Sequence, residues 1–402
     1  MRILSITAQK PDSTGSGVFL TELTRAFEAL GCQQAVVCGT TQEDALPFGS
    51  QIFTFPVHYQ SEQLPFPVCG MSDEMPYEST RYRDMTEEMT SQFREAFRQK
   101  ITEAVETFHP DVILCHHLYF MASLTRELYP NIPIYGQCHG SDLRQLETNP
   151  WQREWIKNQI PKLDGIFALH EAQQEQICRI FDLPPQQVLV MGTGYNSVNF
   201  FRNEEIAKST SVTNYLFAGK LSEKKGVHSL LRCLSQLINP KKVHIHLAGG
   251  CGSEDELKKL QTMAENAPCP ITFLGKLDQK TLAEQMNRCD VFVLPSFYEG
   301  LPLVLIEAMA CGMKTISTDL PGIQPWLNRA IPNCGTIFVT PPEMQNTDEP
   351  IAEALPDFER RLAKALEQAA TSPLPDPSQV MHLSWTALCR KFLAIFDHQE
   401  VS

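Results

Sequence analysis

The chain has 402 residues, of which 43% are hydrophobic and 20% are charged. This length favours two domains of roughly 150 to 200 residues each, and the composition excludes wholesale disorder. The 34 Lys and Arg against 47 Asp and Glu give a net charge of -13, which opposes binding to nucleic acid and to anionic lipid at long range. Any phosphate site must therefore be a local feature.

The 13 cysteines occur singly, without a CxxC pair or a zinc-like spacing. This pattern indicates small buried hydrophobic residues in a reducing compartment. The first seven residues lead directly into a strand pattern instead of a signal peptide, and no apolar stretch approaches the roughly 18 residues that cross a bilayer. We expect a soluble cytoplasmic protein with no transmembrane segment, no nucleic-acid partner and at most peripheral membrane contact.

The chain alternates short apolar runs with helical periodicities, which is typical of doubly wound parallel sheets. In the first half, strands are predicted at 2–7, 34–38, 111–116, 134–138, 165–169 and 188–191. In the second half, strands are predicted at 215–218, 243–248, 271–274, 291–295, 315–318 and 336–339. Two segments break the alternation: residues 56–77 are expected to form a long loop, either a lid or an idle insertion, and residues 341–350 a polar excursion before a helix at 358–370.

These patterns predict an α/β protein with two Rossmann-like domains that face a central cleft. The N-terminal domain would span 1–200, a polar linker 201–213 and the C-terminal domain 214–375. Residues 376–402 follow the second domain as a separate C-terminal segment.

The most informative segment is PSFYEGLPLVLIEAMACG at 295–312, where a strand ends in a loop and a helix is predicted from Pro302. The N–H groups around Gly300 and Leu301 are expected to point out of the carboxyl edge of the sheet, where helix N-termini favour phosphate.

Glu299 precedes this anion site, and Glu307 follows eight residues later inside the predicted helix. A carboxylate at the second position can accept hydrogen bonds from both hydroxyls of a ribose. The spacing alone is equally consistent with a surface glutamate and a loop glutamate that share no function.

A second segment, FAGKLSEKKG at 217–226, is a strand followed by a glycine turn and basic residues. Gly219 makes the turn, and the point charges of Lys220 and Lys225 suit a diphosphate. Without further support, two lysines after a strand are more often solvated than ligating.

E-x7-E followed by AMACG resembles the donor-site motif of retaining family-4 glycosyltransferases of the GT-B fold, and GKLSEKKG resembles their G-R-L-x-x-x-K-G segment. The resemblance implies that Glu307 binds the ribose, Glu299 contacts the transferred sugar, and the amides of Gly300 and Leu301 hold the distal phosphate. Lys225 matches the family lysine. Lys220 replaces the usual arginine, so charge is kept while bidentate phosphate contact is lost.

The resemblance also implies that FLGKL at 273–277 lies beside the nucleobase at Leu277. Such backbone contacts discriminate poorly between bases, so UDP is favoured on family frequency alone over GDP and ADP. In the first half, GSG at 15–17 resembles the family loop near the diphosphate and acceptor, which makes Gly15, Ser16 and Gly17 candidates. This glycine pattern lacks the third glycine of a dinucleotide fingerprint, which disfavours a dehydrogenase.

QCHGSD at 137–142 ends a strand at the carboxyl edge of the first sheet. His139 matches the cleft histidine of the family and, with Asp142, is expected on the acceptor side. His116 and His117, which end the preceding strand, receive no such support. Ser384 and Trp385 resemble the start of the family's crossover helix, which implies that residues 376–402 form a crossover helix that packs back on the N-terminal domain.

The resemblance implies transfer with retention of anomeric configuration, with catalytic roles for His139, Glu299, Lys220 and Lys225. No metal or other cofactor is expected, since cationic side chains face the diphosphate and no clear D-x-D pair occurs. Three alternatives stay open. The first is a malate glucosaminyltransferase like those of bacillithiol synthesis, which the segments GSGVFLTEL and HGSD resemble. The second is a phosphorylase that uses pyridoxal phosphate, an enzyme class with a related fold. The third is a nucleotide-sugar-binding module that has the fold but has lost catalytic activity.

Overall fold

The computed structural model describes residues 1–11, 13–73, 75–208, 211–346 and 348–397. Asp12 of the predicted glycine loop and residues 398–402 of the predicted crossover segment lie outside this set. The chain forms two compact units, one built from Met1–Gly194 and the segment that starts at Trp385, the other from Tyr195–Ser384. The first unit thus ends close to the predicted boundary at 200, and the chain regains it later than the predicted 376.

The first unit contains a seven-stranded parallel sheet of order β3-β2-β1-β6-β7-β8-β9. Its strands are β1 Arg2–Ile6, β2 Gln33–Thr40, β3 Phe53–His58, β6 Val112–His116, β7 Ile134–Gln137, β8 Gly165–Ala168 and β9 Val188–Val190, and a separate pair is formed by β4 Cys69–Gly70 and β5 Thr80–Arg81. Its helices are α1 Gly15–Ala29, α2 Glu87–Phe108, α3 Phe120–Leu128, α4 Ser141–Thr148, α5 Arg153–Gln159, α6 Glu171–Phe181 and, from the C-terminal segment, α13 Trp385–Phe396.

Helices connect the consecutive parallel strands of this sheet, except β2 and β3, which a segment without a helix joins. α1 buries Phe19, Leu23 and Phe27 at a spacing of four residues, and it ends before Gly31, whose φ of 83° supplies the left-handed conformation expected there. The C-terminal α13 packs on α1, with the Trp385 ring 5.0 Å from the Phe19 ring. The central strands are fully buried because helices cover both faces of the sheet.

The segment predicted as a long loop at 56–77 begins in a β-strand and buries part of its length. Residues 53–58 form β3, an edge strand in which Pro56 pairs with Cys38 of β2, and an edge position tolerates the missing N–H of proline. The chain beyond it inserts apolar side chains into the core, with Tyr59 and Leu64 fully buried. Residues 59–68 are irregular, as predicted, but they place apolar side chains in the core, which an idle surface insertion would not do. The lid stays a prediction.

The second unit contains a six-stranded parallel sheet of order β12-β11-β10-β13-β14-β15. Its strands are β10 Thr213–Ala218, β11 Val243–Ala248, β12 Ile271–Gly275, β13 Val291–Leu294, β14 Lys314–Thr318 and β15 Ile337–Val339. Its helices are α7 Val227–Cys233, α8 Glu254–Glu265, α9 Gln279–Arg288, α10 Leu303–Ala310, α11 Ile323–Ala330 and α12 Leu355–Thr371. Every strand predicted from the apolar runs is present in its unit, which confirms the doubly wound architecture.

All 13 cysteines are free, and all but Cys178 and Cys251 are buried. Burial raises the pKa of the Cys38 thiol to about 12, so this thiol is protonated and behaves as a small apolar side chain. Among the described residues, no helix combines the length and the apolar character that crossing a membrane requires.

Candidate functional site

The carboxyl edge of the second sheet is lined by glycines where three neighbouring strands end. Gly219 N–H donates to Ala248 O at 3.0 Å, and Gly249 N–H donates to Gly275 O at 2.8 Å. A Cβ atom on Gly249 would lie 1.7 Å from Gly219 O, so only glycine fits there. These close approaches leave backbone without side chains at the edge where open α/β sheets bind ligands.

Lys225 and Glu299 contact each other at this edge. Lys225 Nζ lies 2.7 Å from Glu299 Oε1, and the Glu299 side chain is 14% exposed. The structure therefore brings together two of the residues predicted from separate motifs. Lys220 lies in the adjacent loop, where its Nζ is 3.3 Å from the position that a Cβ on Gly252 would take.

Two backbone features hold the lysine segment against the loop that follows β13. Phe297 N–H donates to Lys224 O at 3.0 Å. Gly226 has a φ of 71°, and a Cβ there would lie 2.0 Å from Pro295 O. These backbone contacts place the Lys225 and Glu299 side chains beside each other.

The helix after this loop begins one residue later than predicted. α10 starts at Leu303, and Pro302 is its N-cap with a ψ of 106°, so the proline precedes the first helical residue instead of occupying it. Glu307 lies within α10 and is 8% exposed, as is Leu301. A glutamate with so little exposure is unlike the solvated surface residue that spacing alone left open.

Gly300 lies half-buried between Glu299 and α10, and Leu277 lies half-buried just beyond the end of β12. Asp278, the next residue, caps α9 by accepting from Thr281 N–H at 2.7 Å. Leu277 is therefore held between the edge of the sheet and the start of a helix, on the same edge as the glycines.

In the first unit, the predicted flexible loop at 15–17 is the first turn of α1. Thr14 is the N-cap, and its Oγ1 accepts from Gly17 N–H at 3.1 Å. The cap therefore satisfies this amide, and a role for Gly17 near a ligand stays a prediction. Ser16 Oγ lies 3.0 Å from Thr14 Oγ1, and Gly15 is exposed at the helix start.

Asp142 is fully buried and holds backbone, which corrects its predicted place in the acceptor site. Its Oδ2 accepts from Leu118 N–H at 2.7 Å, and its Oδ1 accepts from His139 N–H at 3.3 Å. The carboxylate thus ties the ends of β6 and β7 to α4, and it has no accessible surface for a substrate.

His139 lies in a cluster with His116 and His117, the two histidines that no motif supported. His116 Nδ1 and His139 Nε2 are 3.2 Å apart, and the two rings are stacked with centroids 5.4 Å apart. The His117 ring centroid lies 4.8 Å from that of His139. Phe19 of α1 packs edge-on against His139 at 5.1 Å, so the start of α1 and the histidine cluster are neighbours.

All three histidines are neutral near pH 7. Burial and the neighbouring His117 lower the pKa of His116 to about 3. Burial lowers the pKa of His117 despite the opposing charge of Asp142. Burial, followed by His117 and His116, holds the pKa of His139 well below its usual range. The cluster therefore offers uncharged ring nitrogens.

The pairing of β6 with β7 explains how the cluster forms, since His116 ends one strand and His139 follows the next. Adjacent parallel strands place their carboxyl ends side by side, a signal that the sequence contained. Within the described ranges, no group of three or more His, Cys, Asp or Glu side chains could hold a metal ion.

Two α/β units, each built on a parallel sheet, are the architecture of the GT-B class. Sucrose-phosphate synthase from Thermosynechococcus elongatus superposes with a TM-score of 0.71 at 16% identity, over 99% of this chain and 98% of that chain. The Anabaena HepE structure in complex with UDP and glucose superposes with a TM-score of 0.64 at 14% identity, over 99% and 100%.

The family models place the chain among glycosyltransferases. Residues 13–197 match "Glycosyltransferase Family 4", and residues 201–372 match "Glycosyl transferases group 1". The chain belongs to the family-4 glycosyltransferases of the GT-B fold.

Curated relatives share parts of their length with this chain. A glycosyltransferase of Methanocaldococcus jannaschii, described as uncharacterized, is 27% identical over 254 residues, which are 52% of this chain and 65% of that protein. Glycogen synthase of Mycobacterium tuberculosis is 22% identical over 291 residues, 69% of each chain. The chain thus spans about two-thirds of the length of these relatives.

Proposed function

We propose that this glycosyltransferase moves a sugar from a nucleotide-diphosphate donor, with UDP favoured, to an acceptor with retention of anomeric configuration. The observation that carries the proposal is the Lys225–Glu299 ion pair at the carboxyl end of β13, directly before α10. A cation for phosphate and a carboxylate for sugar hydroxyls stand there beside the amides of a helix start.

In this proposal the second unit binds the donor. Glu307, which is 8% exposed, accepts hydrogen bonds from the ribose hydroxyls. Gly300 and Leu301 offer backbone amides to the distal phosphate, and Leu277 lies beside the base. Gly219, whose lack of a side chain lets backbone approach closely, borders the diphosphate.

The chemical step breaks the bond between the anomeric carbon and the phosphate oxygen through an oxocarbenium-like state. The acceptor oxygen attacks from the face that the phosphate leaves, so the configuration is retained. The acceptor proton passes to the departing phosphate oxygen, which balances the charge. Lys220 and Lys225 stabilise the negative charge that develops on the diphosphate, and no added metal is required of this arrangement.

The first unit is proposed to bind the acceptor, with His139 and the start of α1 at Gly15, Ser16 and Gly17 as the residues involved. Because Gly17 N–H is capped by Thr14, the proposal assigns the hydrogen bonds to the acceptor to Ser16 Oγ and the His139 ring. Malate is included among the acceptors to be tested because of the GSGVFLTEL and HGSD segments.

Isothermal titration calorimetry with UDP, GDP and ADP, followed by transfer assays with sugars, lipid-linked sugars and malate, tests the proposal. We expect one nucleotide to bind and one acceptor class to be glycosylated. Tight nucleotide binding without transfer or donor hydrolysis would favour a non-catalytic module. Binding of none of the three would contradict the donor site.

A further inference from the structure

The hydrogen bond between His116 and His139 restricts which nitrogen of His139 carries its proton. His116 Nδ1 and His139 Nε2 are 3.2 Å apart, so one of these nitrogens donates and the other accepts. Both rings are neutral near pH 7 because burial lowers the pKa of each. Each ring therefore carries a single N–H proton. Two arrangements are left: either His116 donates to His139, or His139 donates to His116.

The surroundings of His116 distinguish the two arrangements. His116 is 2% exposed, and its Nε2 atom is buried without a hydrogen-bond partner among the described residues. If His139 donated, His116 would carry its proton on this Nε2 as an orphaned buried N–H, which native structures rarely contain. If His116 donates from Nδ1, its Nε2 is only an unpaired acceptor, which is better tolerated.

We propose that His116 is a positioning residue that holds His139 as the neutral Nδ1–H tautomer, so that His139 offers a substrate oxygen a hydrogen-bond donor and not a base. The Nε2 lone pair of His139 is occupied by the His116 N–H, while its Nδ1 makes no hydrogen bond to any described residue. Stacking on His116 and the edge of Phe19 fix the ring plane. Such a partner at the second ring nitrogen is how proteins select a histidine tautomer.

The inference rests on the proposed function for the substrate oxygen, but the tautomer itself does not depend on it. A donor at His139 agrees with the proposed chemistry, in which the departing phosphate takes the acceptor proton and no side-chain base is needed. It gives His116 a role that the family motifs did not assign.

Long-range proton–nitrogen correlation NMR of the full chain, labelled with ¹⁵N-histidine, reads the tautomer directly at pH 7.5. The His139 signals are identified by their loss in His139→Gln. We expect a protonated Nδ1 and an unprotonated Nε2 in the wild type. A protonated Nε2, or a doubly protonated ring, would overturn the proposal.

Variants at position 116 test the positioning role. His116→Asn keeps an N–H donor near the place of Nδ1, so it should retain the His139 tautomer and most of kcat. His116→Phe keeps a ring but removes the donor, so it should release the tautomer and lower kcat about tenfold to a hundredfold, the range that misplacement of a reacting group costs. Nucleotide affinity should stay unchanged in both. If the His139 tautomer changes in His116→Phe while kcat stays at the wild-type value, the proposal is overturned.

His117→Asn is the matched control, because His117 is equally buried and contacts the His139 ring without a hydrogen bond to it. Asparagine also tolerates the φ of 73° at this position. The His139 tautomer should be unchanged in this variant, and a change would contradict the special role of His116. If His116→Phe fails to fold, the wild-type and His116→Asn spectra decide. Absence of transfer in the wild type would refute the proposed function and leave the spectral test intact.

Discussion

Lys225 Nζ and Glu299 Oε1 lie 2.7 Å apart, although 74 positions separate the two residues in the sequence. The backbone bond from Phe297 N–H to Lys224 O joins the two segments that carry them. A donor diphosphate that binds Lys225 must share this cation with the Glu299 carboxylate. The ion pair therefore makes the donor site sensitive to either charge.

We predict opposite effects of the two charges on nucleotide binding. Lys225→Ala should weaken UDP binding about tenfold to a hundredfold, the value of a hydrogen bond to a charged group. Glu299→Gln should strengthen UDP binding severalfold, because a repelling carboxylate is removed, while transfer slows. Calorimetry with UDP and initial rates with the sugar donor separate the two effects.

Lys224→Ala is the control for this pair, since Lys224 Nζ is directed to Asp348 Oδ2 at 2.8 Å. Its UDP affinity should stay close to that of the wild type. Equal losses in Lys224→Ala and Lys225→Ala would show that general positive charge, and not the placed Lys225, binds the nucleotide.

Glu307 and His139 should separate donor binding from transfer. Glu307→Ala should lower nucleotide affinity about tenfold or more, because the ribose loses a charged acceptor. His139→Ala should spare nucleotide affinity and reduce the rate of transfer. Glu265→Ala, at the exposed end of α8, is the control. Equal loss of nucleotide binding in the Glu307 and His139 variants would refute the assignment of donor and acceptor to different units.

The contact between Gly226 and Pro295 should be visible as stability. Gly226→Ala should lower the free energy of unfolding by more than the roughly 1 to 2 kcal/mol that a left-handed conformation costs an L-residue, because its Cβ would also collide with Pro295 O. Gly335→Ala is matched to it, with a φ of 70° and no atom within 4 Å of the added Cβ. Thermal unfolding followed by circular dichroism should give the lower midpoint for Gly226→Ala, and equal midpoints would exclude the collision.

The buried histidines predict a loss of stability in acid. Their pKa values are lowered in the folded chain, to about 3 for His116, whereas an unfolded histidine titrates near 6.5. The unfolded chain therefore binds more protons between these values, so stability is complete above about pH 6.5 and falls as the pH decreases. The groups that face His116 are His117, His139 and, through His117, the carboxylate of Asp142.

Urea unfolding between pH 4 and pH 7 measures this effect. His116→Asn, which cannot be protonated, should lose stability less steeply with falling pH than the wild type. Exposed His382→Asn should follow the wild type. A slope unchanged by His116→Asn would contradict the burial of a neutral His116.

Because Lys220 and Lys225 supply positive charge near the glycine edge, we predict that transfer persists without a divalent metal. The rate should be unchanged by EDTA, and Lys220→Ala should slow transfer in its presence and absence alike. Loss of activity in EDTA that Mg²⁺ or Mn²⁺ restores would contradict the proposal that cationic side chains stabilise the leaving diphosphate.

The strands could be predicted from the sequence because both sheets are covered on their two faces and their strands read as continuous apolar runs. β3 was missed because Pro56 interrupts its run, and only the edge position beside β2 makes proline acceptable. The burial of Tyr59 and Leu64 could not be predicted either, since the segment around them has no period.

The site shows the same division between local and long-range information. Glu299 and Glu307 are candidates from their spacing and from the family resemblance, whereas their low exposure depends on tertiary packing. The sequence did not predict the capping of Gly17 or the buried role of Asp142, because each depends on a backbone group that the fold brings near. His116 was overlooked because its importance arises only from the pairing of β6 with β7.

Proton NMR of the chain with UDP-, GDP- and ADP-sugars, without acceptor, follows slow hydrolysis of the donor and tests whether the second unit is a working donor site. We expect one donor, most readily a UDP-sugar, to be consumed by the wild type and Glu307→Ala to abolish this consumption. The released sugar should first appear with the anomeric configuration of the donor. Failure to consume any donor, together with no saturation-transfer signal from any nucleotide, would contradict the proposed donor site.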